Sequence, residues 1–441
     1  MPPRRIVSEK EHHEHLAKYD INANRAMLTL VLCILVDVFG YSMVLPLLPQ
    51  IGQVFGASDF LIGILISSNA FSALIFGPIW GKLSDRYGRK PILLISQIGT
   101  GVAFLLLALS NSIEMIFFSR IFDGIFGGQL PVIRAYIADI TTAETRSSKI
   151  GRIMVGNTLG MILGPSIGGL LGVINWRFPG LFASGLSIIN IILTLRVLVE
   201  SMPKQRIADL KEQMTKIRTS PEGRGKIWNK ELDLRFCQLF LLSFTTIMLT
   251  SSLALVLDER YGTDALGIGS VMTVAGIIGI FYGGFLLKFL IKKVGEKRIF
   301  LTGLIVLIVN FIFYPYLYEY WMVYAFIPLF MFSMAFLMPL IQSNITKAVD
   351  PDRQGQISGY GTNIQSIAQT TAPLVATWYL EIVSLTIGVL YFNAYELIGF
   401  TAMILAILLA IIGFYDVLTH KHLYDYENTK KIPNLFRRLQ S

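Results

Sequence analysis

Apolar runs of close to twenty residues recur along the chain, separated by short polar breaks. They fall at roughly 27–49, 60–80, 92–110, 114–138, 149–172, 177–198, 236–257, 267–291, 298–317, 321–346, 355–380 and 393–416. Each is near the ~20 residues that a helix needs to cross a bilayer core. The pattern predicts an all-α membrane protein of twelve transmembrane helices. One break is long. Residues 199–235 are polar and basic, and they divide the helices into six and six. The expected organisation is a tail at 1–26, a six-helix bundle at 27–198, a central loop at 199–235, a second bundle at 236–416 and a tail at 417–441. The first part of the central loop is compatible with a helix lying on the membrane surface, where anionic lipid attracts it.

Composition supports this pattern. The chain is 53% apolar and only 15% charged, with a mean hydropathy of +0.59, where soluble proteins carry about 25% charged residues. The net charge of +9 does not point to nucleic acid, because the bases sit in loops between apolar runs. One set of loops holds Lys82, Arg86, Arg89 and Lys90, then Arg146, Lys149 and Arg152, the central segment, Lys292, Lys293, Lys297 and Arg298, and Lys347 with Arg353. The opposite set holds little more than Arg177 and Arg260. The basic side is expected to be cytoplasmic, with both termini on it. The expected location is the cell membrane, with the lipid bilayer as partner and no nucleic acid. The polar N-terminal stretch lacks the pattern of a signal peptide. His12, His13 and His15 read as a solvated tail rather than a metal site, and Cys33 and Cys237 as apolar packing inside helices.

The two halves repeat. Gly88 and Lys90 recur as Gly295 and Lys297, Arg146 as Arg353 and Ile150 as Ile357, each pair 207 residues apart. Pro165 and Pro373 are 208 apart. A shared offset in two loops argues for duplication of a six-helix unit. The repeat fails where charge matters. Asp85 aligns with Lys292, Asp37 with Phe244 and Arg120 with Ile327, so the ionisable chemistry is expected almost wholly in the first half.

Asp37 lies near the middle of the first helix. A carboxylate at that depth is costly unless paired, hydrated or protonated, so it is a candidate proton or cation site, or a structural partner for a base. Arg120 and Asp123, three apart on the fourth helix, can pair locally. Arg134 either snorkels to the interface or makes the mouth of a cavity positive. Glu259, Glu319, Glu381 and Glu396 sit at outer ends of spans and read as solvated. On the fifth helix, glycines 160, 164 and 168 line one face and permit close approach of another helix, while Pro165 removes a backbone donor. Ser243, Thr245, Thr246, Thr250, Ser251 and Ser252 on the seventh helix form a neutral polar stripe. So do Gln365, Ser366, Gln369 and Thr370 on the eleventh. Such stripes face either a wet cavity or neighbouring helices. No nucleophile–base pair, metal-ligand spacing or phosphate loop appears, so no enzyme is expected.

These motifs resemble the major facilitator superfamily, and within it the twelve-helix proton-coupled drug antiporters of the tetracycline-efflux type. Residues 81–91 match the family's loop between helices 2 and 3, and 160–169 match its antiporter motif. Arg120 with Gly124 matches the helix 4 motif. The runs 37–46 and 136–146 look like the helix 1 segment and helix 4 exit of tetracycline exporters. The resemblance implies that Asp37 and Arg120, with Asp123 beside them, form the proton-coupling group. Gly81, Asp85, Arg86, Gly88, Arg89 and Lys90 would form a conformational latch, with Asp85 near the N-terminus of helix 11. Gly160, Gly164, Pro165, Gly168 and Gly169 would form a hinge that limits leak. Two departures stand out. Residues 298–317 lack the acidic residue of the tetracycline exporters, and Asp123 replaces the family's usual Gln or small residue.

The sequence thus leads to a secondary active transporter that exports amphipathic small molecules by proton antiport. Its substrate cavity is expected to include Asn157, Thr246, Thr250, Gln342, Gln365 and Gln369. The coupling proton serves in place of a cofactor, no metal is expected, and the expected state is a monomer. The rivals are a carrier of an organic anion or metabolite, with Arg120 and Arg134 as the anion site, and a non-transporting receptor on the same fold.

Overall fold

The computed structural model describes residues 17–141, 143–203, 230–349, 354–382, 384–387, 390–420 and 424. His12, His13 and His15, the central loop from 204 to 229, Arg353 and the tail after 424 lie outside the described residues, as do the side chains of Glu144 and Arg146. Among the described residues twelve long helices run in order: α1 Ala23–Val54, α2 Asp59–Tyr87, α3 Arg89–Ala108, α4 Ile113–Ile140, α5 Ala143–Ile174, α6 Phe178–Val197, α7 Lys230–Tyr261, α8 Ala265–Val294, α9 Glu296–Tyr316, α10 Tyr320–Lys347, α11 Gln354–Ile382 and α12 Ala394–Thr419.

Eleven of them are long and apolar enough to cross a membrane; the exception among the twelve is α11. At 29 residues α11 has the length, but Gln365, Ser366, Gln369, Thr370 and Thr371 crowd its middle and dilute its apolar character. One short β-hairpin interrupts the all-α pattern. Strands β1, Ser384–Ile387, and β2, Leu390–Asn393, pair antiparallel with Ile387 opposite Leu390. The hairpin leads into a capping box at the start of α12: Asn393 Oδ1 accepts the Glu396 N–H at 2.8 Å, and Glu396 Oε2 accepts the Asn393 N–H at 2.9 Å. Glu396 is therefore a cap, which satisfies two orphan donors, rather than a merely solvated acid.

Among the described residues, those up to 225 together with 262–273 form one compact unit, and 226–261 with 274 onward form the other. Within the first unit α1 packs on α5 and α6, α2 on α4, and α3 on α4 and α6. Within the second, α7 packs on α10, α11 and α12, and α9 on α10 and α12. The pairs α1·α5 and α7·α11, and α3·α6 and α9·α12, are the same pairs one repeat apart.

Close approach between α5 and its neighbours uses two glycine faces. A Cβ at Gly160 would meet Leu35 O and Phe39 N at 2.9 Å, and one at Gly168 would overlap Met43 O. At Gly164 it would overlap Ser42 Oγ. These three glycines therefore seat α5 on α1, inside one bundle, where the Ser42 hydroxyl donates to Gly160 O at 2.8 Å. The other face carries Pro165 and Gly169. There the backbone of α5 meets the first turns of α8: a Cβ at Gly269 would meet Pro165 O at 2.9 Å, and one at Gly169 would meet Ala265 O at 2.7 Å. Ser166 and Thr273 share a 2.5 Å hydroxyl contact. This packing puts 262–273 in the first unit. Further on, α8 passes through a π-helical turn at Phe281–Leu286.

The second unit is not free of buried charge, contrary to expectation. Arg235, assigned by the sequence pattern to the polar central loop, is fully buried in α7 and paired with the equally buried Asp416 of α12, Nη2 to Oδ1 3.3 Å. Gln238, His420 and Tyr424 complete the ring around Asp416, with Tyr424 donating at 2.6 Å. Burial and then the adjacent carboxylate hold the Tyr424 hydroxyl well above its ordinary range. Cys33 is buried, as expected, but Cys237 is exposed.

Removing one partner of a buried ion pair leaves the other charge stranded, at a cost of about 3–5 kcal/mol. Asp416→Ala is expected to destabilise the protein on that scale in detergent thermal unfolding. Arg235→Met combined with Asp416→Leu should recover most of the loss.

Candidate functional site

The sequence predicts one continuous fourth helix, but α4 is broken. It consists of Ile113–Phe126 and Gln129–Ile140, joined by Gly127 and Gly128. The break is stabilised from two sides. Trp80 Nε1 donates to Ile125 O at 2.5 Å, and Ser96 Oγ donates to Phe126 O, so carbonyls freed by the break find donors. Gly128 lies against the Trp80 ring, where any side chain would collide. The consequence is local: Gln129 opens the second segment with its amide beside α1.

Gln129 Nε2 donates to Asp37 Oδ1 at 2.7 Å. Arg120 pairs with Asp123 instead, Nη1 to Oδ2 3.4 Å, both side chains almost fully buried. The expected Asp37–Arg120 pair is thus corrected. The guanidinium goes to the carboxylate one turn away on its own helix, and Asp37 takes a neutral amide. Asn69 of α2 fixes the arrangement, donating to Asp123 Oδ2 at 2.8 Å and to Arg120 O at 3.4 Å. Arg120 also lies over the Phe104 ring, 5.7 Å from its centroid. Its Nε and Nη2 have no hydrogen-bond partner among the described residues. Asp37, Tyr41, Asn69, Thr100, Phe104 and Asp123 line one cavity of about 140 Å³. Two carboxylates therefore share a small polar chamber with a single guanidinium beside it.

The loop between α2 and α3 forms a second cluster. Gly88 has φ 102°, a conformation that favours glycine, and a Cβ there would also strike Glu200 Oε2 at 2.7 Å. The Glu200 carboxylate accepts the backbone N–H groups of Arg89 and Lys90, each at 2.9 Å, and so caps α3. Arg89 is buried. It meets Asp85 at 2.6 Å, Asp139 at 3.0 Å and Ser84 Oγ at 2.6 Å. Ser201 adds a bond to Asp139 at 3.1 Å, and Tyr136 donates to Val199 O at 2.5 Å. Lys90 Nζ donates to Leu195 O, Arg86 lies over the Tyr87 ring, and Gly81 has open room around it. Asp85 remains 38% exposed. Four of the six expected latch residues, Asp85, Gly88, Arg89 and Lys90, thus come together, Gly81 and Arg86 stand outside the network, and Glu200, Asp139 and Ser201 join it.

The expected substrate residues on α7 and α11 of the second unit bond within their own helix or to α10. Thr246 and Thr250 donate to carbonyls of their own helix, Leu242 O at 2.6 Å and Thr246 O at 3.0 Å. Ser366 and Thr370 do the same on α11. Thr246 and Gln365 both reach α10, at Met334 and Met338. Gln342 and Gln369 are exposed and Asn157 is half-buried. Sequence reasoning missed Gln129, Asn69 and Glu200. The Gly127-Gly128 dipeptide just before Gln129 was the one signal that could have found any of them.

Known proteins agree with this fold and these motifs. The sequence profile of the Major Facilitator Superfamily matches residues 30–373 and, in a second match, 236–425. The tetracycline resistance protein, class C, of Escherichia coli is 28% identical over 81% of this chain and 90% of its own length. Multidrug resistance protein 2 of Bacillus subtilis (strain 168) is 25% identical over 81% of this chain and 89% of its own length. Among solved structures, a bacterial homolog of the human lysosomal transporter Spinster superposes with a TM-score of 0.71 at 15% identity, covering 90% of this chain and 97% of that one. With twelve long helices, the duplicated loop and a match to the family over most of its length, the chain is a multi-pass membrane protein and belongs to the Major Facilitator Superfamily of transporters.

Proposed function

We propose that the protein is a secondary active transporter that exports amphipathic small molecules in exchange for protons. The carrying observation is the shared cavity, in which Asp37 is held by an amide while Arg120 is committed to Asp123. A carboxylate with a neutral partner can gain or lose a proton without stranding a buried cation. In the proposed cycle Asp37 takes up a proton from outside, the protein changes state, and substrate entering from the cytoplasm displaces the proton. Competition for one chamber is enough to couple the two flows. The names of the relatives, which refer to tetracycline and multidrug resistance, support export of drug-like molecules.

The basic loops support a cytoplasmic face on that side, and the cell membrane as the location. Asp85, with its network, serves in this reading as a latch that holds one state of the cycle. The rival cargo is an organic anion or metabolite, favoured by the two unpartnered nitrogens of Arg120. The chamber's two carboxylates against one guanidinium favour a proton or a cation.

Three outcomes follow from this reading. In proteoliposomes with an imposed pH gradient, Asp37→Asn should reduce gradient-driven efflux about 5- to 150-fold, the range of ordinary coupling energies. Efflux at the wild-type rate would remove Asp37 from the coupling step. A substrate panel graded by charge decides between the cargoes: preference for anions would favour the rival.

The second outcome separates the two carboxylates. Asp123→Asn strands Arg120 and should lower thermal stability by about 3–5 kcal/mol. Asp37→Asn, which trades one hydrogen bond at a neutral partner, should cost only about 1 kcal/mol. Equal losses would mean that Arg120 does not depend on Asp123. The third concerns the latch. Asp85→Asn should slow transport several-fold while substrate binding, followed by tryptophan fluorescence, stays near wild type; a parallel loss of binding would argue against a latch.

A further inference from the structure

The loop between α8 and α9 repeats the backbone of the loop between α2 and α3. Gly88 has φ 102° and ψ 158°, and Gly295 has φ 91° and ψ 150°. Each glycine ends one helix and opens the next, whose first amides lack intrahelical acceptors. In the first copy the Glu200 carboxylate takes those amides, and an anion is the natural occupant of such a position. In the second copy the first amides of α9 have no side-chain acceptor among the described residues.

The charges around the two loops diverge in the same sense. In the first copy Arg89 is bound by Asp85 and Asp139, and Lys90 is spent on Leu195 O. In the second, Lys292 stands at the position of Asp85 and Lys293 at that of Arg86, and both are exposed. Lys288, Lys297 and Arg298 flank them. None of these five cations has an ion-pair partner among the described residues. Glu296, the one acid in this stretch, is taken by Lys347, Nζ to Oε2 2.7 Å. Asp85, Asp139 and Glu200 thus offset most of the charge around the first loop, while among the described residues the second keeps an unmatched positive charge around uncapped amides.

The apolar surface beside it supplies the other half of a ligand. Phe281, Phe285 and Phe289 stand four residues apart along α8, 55%, 70% and 59% exposed. They run up to the cations, and the Lys293 ammonium lies 5.7 Å from the centroid of Phe289. A free phosphate would use the cations and leave the phenylalanines idle. A molecule with an anionic head and an acyl chain uses both.

We propose that the α8–α9 loop binds the headgroup phosphate of an anionic phospholipid. Lys292, Lys293, Lys297, Arg298 and the first amides of α9 receive the phosphate, and the phenylalanines lie along an acyl chain. Basic clusters at a membrane surface attract such headgroups at a gain of roughly fivefold per cation.

The test uses the full chain in nanodiscs of phosphatidylcholine with increasing phosphatidylglycerol. Retained lipid is read by native mass spectrometry and stability by thermal unfolding. The wild type is expected to retain phosphatidylglycerol in preference and to unfold at higher temperature with it. The triple variant Lys292→Gln, Lys293→Gln, Lys297→Gln should lose retention about fivefold per cation, while unfolding at the wild-type temperature in phosphatidylcholine alone. Arg152→Gln, an exposed cation on α5, should change nothing. Lys292→Asp, which restores the acid of the first copy, should weaken retention in the same direction and serves if the triple variant does not fold. Wild-type retention in the folded variants overturns the proposal. So does competition by inorganic phosphate alone at the headgroup concentration, which would assign the site to a free anion.

Discussion

A charge moved from water into a bundle of apolar helices costs several kcal/mol unless protein groups replace its hydration. In this molecule that requirement decides where backbone breaks, caps and close contacts occur. Arg120 is buried beside Asp123 and Asn69. Arg89 is buried between Asp85, Asp139 and Ser84. Arg235 is buried against Asp416, which in turn collects Gln238, His420 and Tyr424. Each cluster depends on a local feature of the chain: the α4 break brings Gln129 to Asp37, Gly88 turns the amides of α3 toward Glu200, and residues just beyond α12 close over Asp416.

The choice of partner for Asp37 bears on mechanism. An Arg in an apolar medium keeps its proton, so it needs an acceptor beside it. Arg120 makes that contact within its own helix, three residues from Asp123, where little conformational change can separate the two. Asp37 is linked instead across helices, through an amide that can donate whether or not the carboxylate carries a proton, since the carbonyl-type oxygen still accepts. Asp123 thus keeps the cation satisfied and leaves Asp37 available for exchange.

Much of this was legible in the sequence. The helices, the duplicated loop and the glycine ladder of α5 are local patterns with fixed spacing, and each one corresponds to an element of the fold. What escaped depends on distant pairs. Nothing near Glu200 marks it as the cap of α3, since its partners lie about 110 residues earlier. Asp416 and Arg235 sit 181 residues apart and look like ordinary charges at helix ends. The glycines 160, 164 and 168 were recognised as a contact face, but spacing alone does not name the partner, which is α1. The hydroxyl stripes of α7 and α11 were ambiguous for a different reason. A Ser or Thr in a helix can satisfy itself on the carbonyl one turn back, so a polar stripe need not face water at all.

Duplication explains why packing repeats between the halves and charge does not. An apolar contact between α1 and α5 survives exchange of one aliphatic residue for another at small cost, so both halves keep the same helix pairs while their side chains drift. An ion pair behaves differently. Losing one partner strands the other, and the intermediate is worse than either end state. Charged clusters therefore change as units or not at all. The two loops show this in one place. With Glu200, Asp85 and Asp139 around it, the first copy is a closed internal network. In the second copy lysines stand at the positions of Asp85 and Arg86, and Glu296, at the position of Arg89, is turned to Lys347. The same glycine turn is kept in both, because the backbone needs it whatever charge lies around it.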